Sequence, residues 1–289
     1  MQNNLQFKKV RDFGEIINDT FVFIKQNFKP LLKVFIYFCG LFLLGGVLST
    51  VVQQLSLQGT GYGTGRSVTR FAGLFALPVI FSFIFAILNY TALVVSILSF
   101  IAIYIERGNI APQAEEIWGY FKYYFFRVLW SSLLIGVLLV VCMALLFIPF
   151  IYVFPAMSLL LPVMVIENSN FQYSFNRSFK LLTDQWWVTA GTILVTWIIT
   201  YALMIAVAIP GVLLTLAGKF FPESMVSGTV AVIVTSVLQH ISHVFMIIPI
   251  VGVTLCYFNL AERQENSGLF DRINQLGGTD DKPVQAEEY

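Results

Sequence analysis

The chain has 289 residues, 57% of them hydrophobic and 11% charged, and its 17 basic and 16 acidic side chains leave a net charge of +1. Soluble domains carry about a quarter charged residues, so a mean hydropathy of +0.79 excludes one and points to lipid. No clustered basic patch is visible, which argues against a nucleic-acid partner.

The first element is an amphipathic segment at 10–29. Val10, Phe13, Ile17, Phe21, Ile24 and Phe28 recur every three or four residues while Arg11, Glu15, Lys25 and Lys29 take other faces, the pattern of a helix lying in the headgroup layer. Charge-free apolar runs follow at 34–65, 71–105, 128–166, 188–218 and 224–261, several well beyond the roughly 18 residues that nominate a membrane-spanning helix. They lack the short alternation of a membrane β-barrel, so helices are expected. Pro78 trims the second run. The third is about twice what one crossing needs and is cut by Pro149, Pro155 and Pro162, so two helices with a break between Pro149 and Pro155 are expected. The predicted spans are 31–52, 79–105, 128–148, 154–167, 188–208 and 229–258, within one helical membrane domain at 1–276. Outer connections fall at 53–70 and 209–228. Leu269, Phe270, Ile273 and Leu276 form a short apolar patch, and 277–289 reads as a disordered acidic tail.

A second amphipathic segment, 171–187, matches the first. Phe13, Asn18, Thr20, Phe21, Ile24 and Phe28 correspond to Phe171, Asn176, Ser178, Phe179, Leu182 and Trp186, and Trp186-Trp187 mark an interfacial entry to the next span. A looser third copy at 114–127 places Phe121, Tyr124 and Val128 at equivalent spacing. The architecture this implies is three units, each a surface helix followed by a helical hairpin. Orientation follows from Lys and Arg in short loops. With the N-terminus inside, six spans leave only Arg66, Arg70 and Lys219 of the 17 basic residues outside, and both termini are cytoplasmic.

Candidates for chemistry are few. His240 and His243 lie three apart on one helical face of the last span, a pair that could ligate metal or haem, but no charge-free span supplies a third ligand. Cys39, Cys142 and Cys256 sit in or beside apolar runs and read as small hydrophobes. Glu106 and Glu167 end spans at the cytoplasmic edge, and an ion pair of Glu167 with Arg177 or Lys180 is expected. The glycine-rich stretch Gly59 to Gly65 lacks the ending of a nucleotide-binding loop. Asn89, Tyr90, Thr91, Ser96, Ser99, Thr192, Thr196 and Thr200 are the polar groups within spans, and a continuous cavity lined by Asn89, Thr196 or His240 would favour transport over scaffolding.

Leu161-Pro162 through Glu167, Ser174 to Leu182 with Trp186-Trp187, the start Phe13-Gly14-Glu15-Ile16-Ile17 with Thr20-Phe21 and Asn27-Phe28, and the end Tyr257-Phe258-Asn259-Leu260 with Arg263 and Glu265 together resemble the membrane domain found beside some glycerophosphodiester phosphodiesterases. That family also includes stand-alone bacterial membrane proteins. Asn259 and Ala261 stand where the pattern has Asp and Arg. The family's phosphodiesterase activity belongs to a separate barrel domain, so the resemblance implies the membrane module and not the catalysis.

The expectation is an all-α polytopic protein of the bacterial inner membrane with six transmembrane helices and cytoplasmic amphipathic helices. It is expected to be non-enzymatic and without a cofactor. Membrane lipids and protein partners would be engaged through Phe13, Phe21, Phe28, Phe171, Phe179, Trp186, Trp187, Arg177 and Lys180, in a membrane assembly or in envelope or lipid homeostasis. The alternatives are a transporter of a lipid or small neutral or zwitterionic solute, and a metal- or haem-binding subunit using His240 and His243.

Overall fold

The computed structural model describes residues 5–59, 77–145, 148–183, 185–220 and 228–265. The glycine-rich stretch after Gly59, the patch from Leu269 to Leu276 and the tail at 277–289 lie outside them. Among the described residues every regular element is helical: α1 (Phe13–Gln26), α2 (Phe28–Gly59), α3 (Leu77–Glu106), α4 (Ala114–Ala144), α5 (Ile148–Ile166), α6 (Phe171–Leu182), α7 (Trp186–Phe220), α8 (Gly228–Ile241), a 3₁₀ turn (Ser242–Met246) and α9 (Ile247–Glu265). Among these residues six stretches are long and apolar enough to cross a membrane: Phe28–Leu55, Leu77–Glu106, Ala114–Ala144, Ile148–Ile166, Trp186–Ala217 and Gly228–Glu265. The protein is an all-α polytopic membrane protein.

The α3–α4 and α5–α6 reversals use the same chemistry. Gly108 and Asn109 take φ of 66° and 72°, and Asn168 takes 46°, left-handed values that Gly and Asn tolerate best. The Asn109 N–H then bonds the Tyr104 carbonyl at 2.8 Å and the Ser169 N–H bonds that of Met164 at 3.1 Å, closing each helix on its last free acceptors. Helix starts are capped as well. Asp12 accepts from the Glu15 N–H at 2.8 Å, and Asn170 from the Tyr173 N–H at 2.9 Å, each supplying an acceptor to an orphan donor of the first turn.

Four boundaries differ from the sequence expectation, each for a local reason. The segment 114–127 is the first half of the continuous helix α4 rather than a separate element, because nothing like Asn27 interrupts it. Asn27 ends α1 at φ −112° and ψ 21°, with its side-chain amide bonding the Phe23 carbonyl at 3.1 Å. The break between the third and fourth spans falls before Ile148. Pro149 therefore occupies the first turn of α5, where no N–H is needed, while Pro155 and Pro162 lie inside the helix. α7 runs through Pro210 instead of ending at 208. There Thr235 of α8 sits so close that a Cβ on Gly211 would come within 2.9 Å of its Cα, and its hydroxyl donates to the Gly211 carbonyl at 3.0 Å. This contact ties α7 to α8 immediately after the proline. The last span is interrupted by the 3₁₀ turn at Ser242–Met246.

The core centres on α3, buried from Thr91 to Tyr104, and on α9, buried from Val251 to Glu262. The segment before α1 completes it. Phe7, 2% exposed, packs edge-on against Phe23, Tyr104 and Phe258 with centroids 5.1, 6.0 and 5.4 Å away. Such pairs add roughly 0.5–1.5 kcal/mol each beyond the area they bury.

Candidate functional site

α1 is wedged across the bundle rather than lying free on its surface. Phe13 rests against Gly191 of α7, Thr20 meets Gly252 of α9, and Phe23 reaches Phe100 and Tyr104 of α3. A Cβ on Gly252 would lie 3.0 Å from Thr196 and 3.5 Å from Thr20, so this glycine permits the close approach of three helices. The locked face is Ile16, Thr20, Phe23 and Asn27. Outside that face Phe13, beside α7, and Phe21 are 40% and 37% exposed, and Phe28 at the start of α2 is 55% exposed, with Lys25 and Lys29 exposed beside them.

α6 uses its aromatic row differently. Phe171, Phe175, Phe179 and Trp186 pack against the core. Phe179 and Trp186 converge on Tyr152 of α5 at 6.5 and 6.3 Å, and the Trp186 indole donates to the Tyr152 carbonyl at 3.3 Å. Trp187, next to that row in sequence, remains open, at 82% exposure. The two segments share sequence, but the row faces outward in α1 and inward in α6. Amphipathicity states that two faces differ and leaves open which one the rest of the bundle will cover.

Polar networks tie the helix ends together. The Arg11 guanidinium, 1% exposed, donates to Asp19 at 2.7 Å, to the carbonyls of Phe7 at 2.7 Å and Lys9 at 3.0 Å, and to that of Gln6. Its backbone N–H donates to Asn259 Oδ1 at 2.8 Å, which also accepts from Arg263 Nε at 3.3 Å. Asn259 thus holds the N-terminal strap to α9. In the second network Glu167 accepts from Tyr257 at 3.0 Å and Arg177 at 3.3 Å, and Arg177 also pairs with Glu265. Burial disfavours the Arg177 charge, but Glu265 and Glu167 outweigh it and hold its pKa above the ordinary value. A hydrogen bond to Glu167 pushes the Tyr173 phenol up as well. Of the two expected partners, Arg177 takes Glu167. Lys180 is exposed, and its backbone carbonyl accepts from Gln264 at 3.1 Å. Glu106 accepts from Tyr120 at 3.1 and 3.2 Å, so the two carboxylates have separate partners.

At the membrane interior, His240 Nδ1 lies 2.8 Å from the Ser236 carbonyl and therefore carries its proton there, while Nε2 faces Gly46 of α2, whose Cβ would be only 2.7 Å away. His243 Nδ1 is 3.5 Å from the Asn89 amide, and the imidazole centroids are 5.6 Å apart. Among the described residues no group of three or more His, Cys, Asp or Glu could hold a metal ion. The three cysteines are buried and unbridged. The hydroxyls of Thr192, Thr196 and Thr200 each donate to a carbonyl of their own helix.

A crevice of about 250 Å³ opens among α3, α4, α5, α7 and α9. Its walls carry no charge and include Tyr90, Ile135, Met157, Trp197 and Ile250, with Pro162 and Pro249 at backbone irregularities; Asn89, Thr196 and His240 are not among them. Sequence reasoning missed this feature. The prolines inside α5, Pro155 and Pro162, stand beside it; the first marks the edge of the break expected between spans and the second falls within the predicted span 154–167. No family model, no curated protein and no solved structure matches the chain.

Proposed function

We propose that the protein is a non-enzymatic component of the bacterial inner membrane, with both termini cytoplasmic, that engages anionic lipid headgroups through α1. The observation that carries this is the two-sidedness of α1. One face is locked into α3, α7 and α9 while the outer side presents Phe13 and Phe21 beside Lys25, and the first residues of α2, Phe28 and Lys29, continue it; neither lysine has an ion pair among the described residues. Exposed aromatics with adjacent basic side chains suit the headgroup layer of an anionic leaflet, each Lys contributing about 1 kcal/mol. Membrane assembly or lipid homeostasis is the role such an anchored, charge-reading element serves, with Trp187 and Lys180 available to further lipids or a protein partner.

An internal repeat is part of this reading. α1 and α6 start on capping residues at matching positions, Asp12 and Asn170. Each buries a hydroxyl at the matching position further on, Thr20 and Ser178, that donates four residues back at 2.8 and 2.7 Å. The sequence resemblance to the membrane domain beside glycerophosphodiester phosphodiesterases supports the same picture of a membrane module without a catalytic barrel.

The test is retention of lipid by the full chain purified from nanodiscs holding equal phosphatidylglycerol and phosphatidylcholine, read by native mass spectrometry. Phosphatidylglycerol should be retained several-fold over phosphatidylcholine, and Lys25→Gln with Lys29→Gln should remove the preference. An equal ratio in both proteins refutes the headgroup reading. Orientation is tested separately by a cysteine placed in 53–70, which should be labelled from outside the cell.

A further inference from the structure

We infer that the crevice is a binding site for a neutral lipid, a hydrocarbon chain bearing an uncharged carbonyl or hydroxyl group. It lies at membrane depth, and its rim residues Tyr90 and Gly136 are exposed on the face that meets lipid, so what enters it comes from the bilayer. The lining has no acidic or basic side chain, which excludes a charged headgroup, since an unpaired charge in hydrocarbon is costly. It is not uniformly apolar either. Tyr90 and Ser132 stand on facing helices, the Ser132 hydroxyl is buried without a hydrogen-bond partner, and the Tyr90 hydroxyl has none among the described residues. A polar group left alone in an apolar surrounding is paired when a partner can reach it, and an oxygen on the ligand would supply that partner.

The shape follows from the backbone. Pro155 and Pro162 lie within α5 and the 3₁₀ turn interrupts the last span just before Pro249, so two wall helices depart from straight packing at this level. Gly136 opens the α4 wall, and a Cβ built on it meets nothing within 4 Å.

The experiment uses the full chain in phosphatidylcholine nanodiscs, titrated with a dibrominated stearoyl monoglyceride, whose bromines quench tryptophan on contact. A saturable quenching component is expected that disappears in Trp197→Phe. Gly136→Leu, which fills open space, should raise the half-saturating mole fraction at least several-fold, whereas Gly40→Leu, also into open space but outside the crevice, should not. Tyr90→Phe, nearly isosteric and therefore safe for folding, should weaken the component about threefold or more. Quenching that rises linearly and equals that by dibrominated phosphatidylcholine overturns the site, as does a saturable component unmoved by both Gly136→Leu and Tyr90→Phe. Headgroup selectivity and crevice occupancy are read with different lipids, so either can fail alone.

Discussion

Replacing Arg11 with Met should release the N-terminal strap. The guanidinium is 1% exposed and donates to the Asp19 carboxylate and the carbonyls of Phe7 and Lys9 at 2.7 to 3.0 Å, and to that of Gln6. Met keeps much of the volume and the apolar stem but leaves those acceptors unpaired. Breaking a buried pair costs about 3–5 kcal/mol. The Asp19 side chain is 18% exposed, so water recovers part of the loss and about 3 kcal/mol is expected, or roughly 100-fold in the strap's opening equilibrium. Amide hydrogen exchange at residue 11, whose N–H is held by Asn259, reads that equilibrium directly, and tryptic cleavage after Lys8 and Lys9 should accelerate in parallel. Arg11→Lys keeps the charge without the planar fork and should fall between. If Arg11→Met exchanges within threefold of the parent protein, the network is not what holds the strap.

Glycine substitutions should separate by what their Cβ meets. Gly211→Ala drives a methyl to 2.9 Å from the Thr235 Cα and should lower thermal stability in detergent by several degrees, because backbone has to move; Gly40→Ala meets open space and should be neutral or slightly stabilising through helix propensity. Glu15 gives a pH test. Its hydrogen bond from the Asp12 backbone N–H, aided by Lys9, holds its pKa below the ordinary value of about 4.5. A carboxylate depressed on folding stabilises above its unfolded pKa and loses that contribution as pH falls through the folded value. Protection in the first turn of α1, taken as amide exchange relative to the intrinsic rate at each pH, should therefore fall on acidification below about pH 4.5, and Glu15→Gln should abolish that dependence; a parallel loss of protection in both proteins refutes it.

The candidate lipid-contact residues were only partly legible. Phe13, Phe21 and Phe28 could be placed on one helical face from spacing, and that face is open. Phe171, Phe179 and Trp186 have the same spacing but pack inward: Phe179 of α6 and Trp186 at the start of α7 meet Tyr152 of α5, and Phe171 packs against the core. Arg177 was paired with Glu167 from proximity in sequence, while the pairing of Arg177 with Glu265 and of Arg11 with the Asn259 amide joins residues too distant in the chain for any local pattern to reveal.

Composition and apolar run length determined that this chain is a helical membrane protein, because burying backbone in lipid leaves few alternatives, and the length and prolines of the 128–166 run raised five apolar runs to six crossings. Prolines were the weak point. Whether Pro155, Pro162 or Pro210 breaks a helix depends on what neighbours pack around it, and all three lie inside continuous helices. Tertiary structure alone decided which face of each amphipathic helix is buried, how the N-terminal strap closes on Asn259, and that five separate segments leave a charge-free crevice between them. Each depends on contacts between residues far apart in sequence, on which local periodicity carries no information.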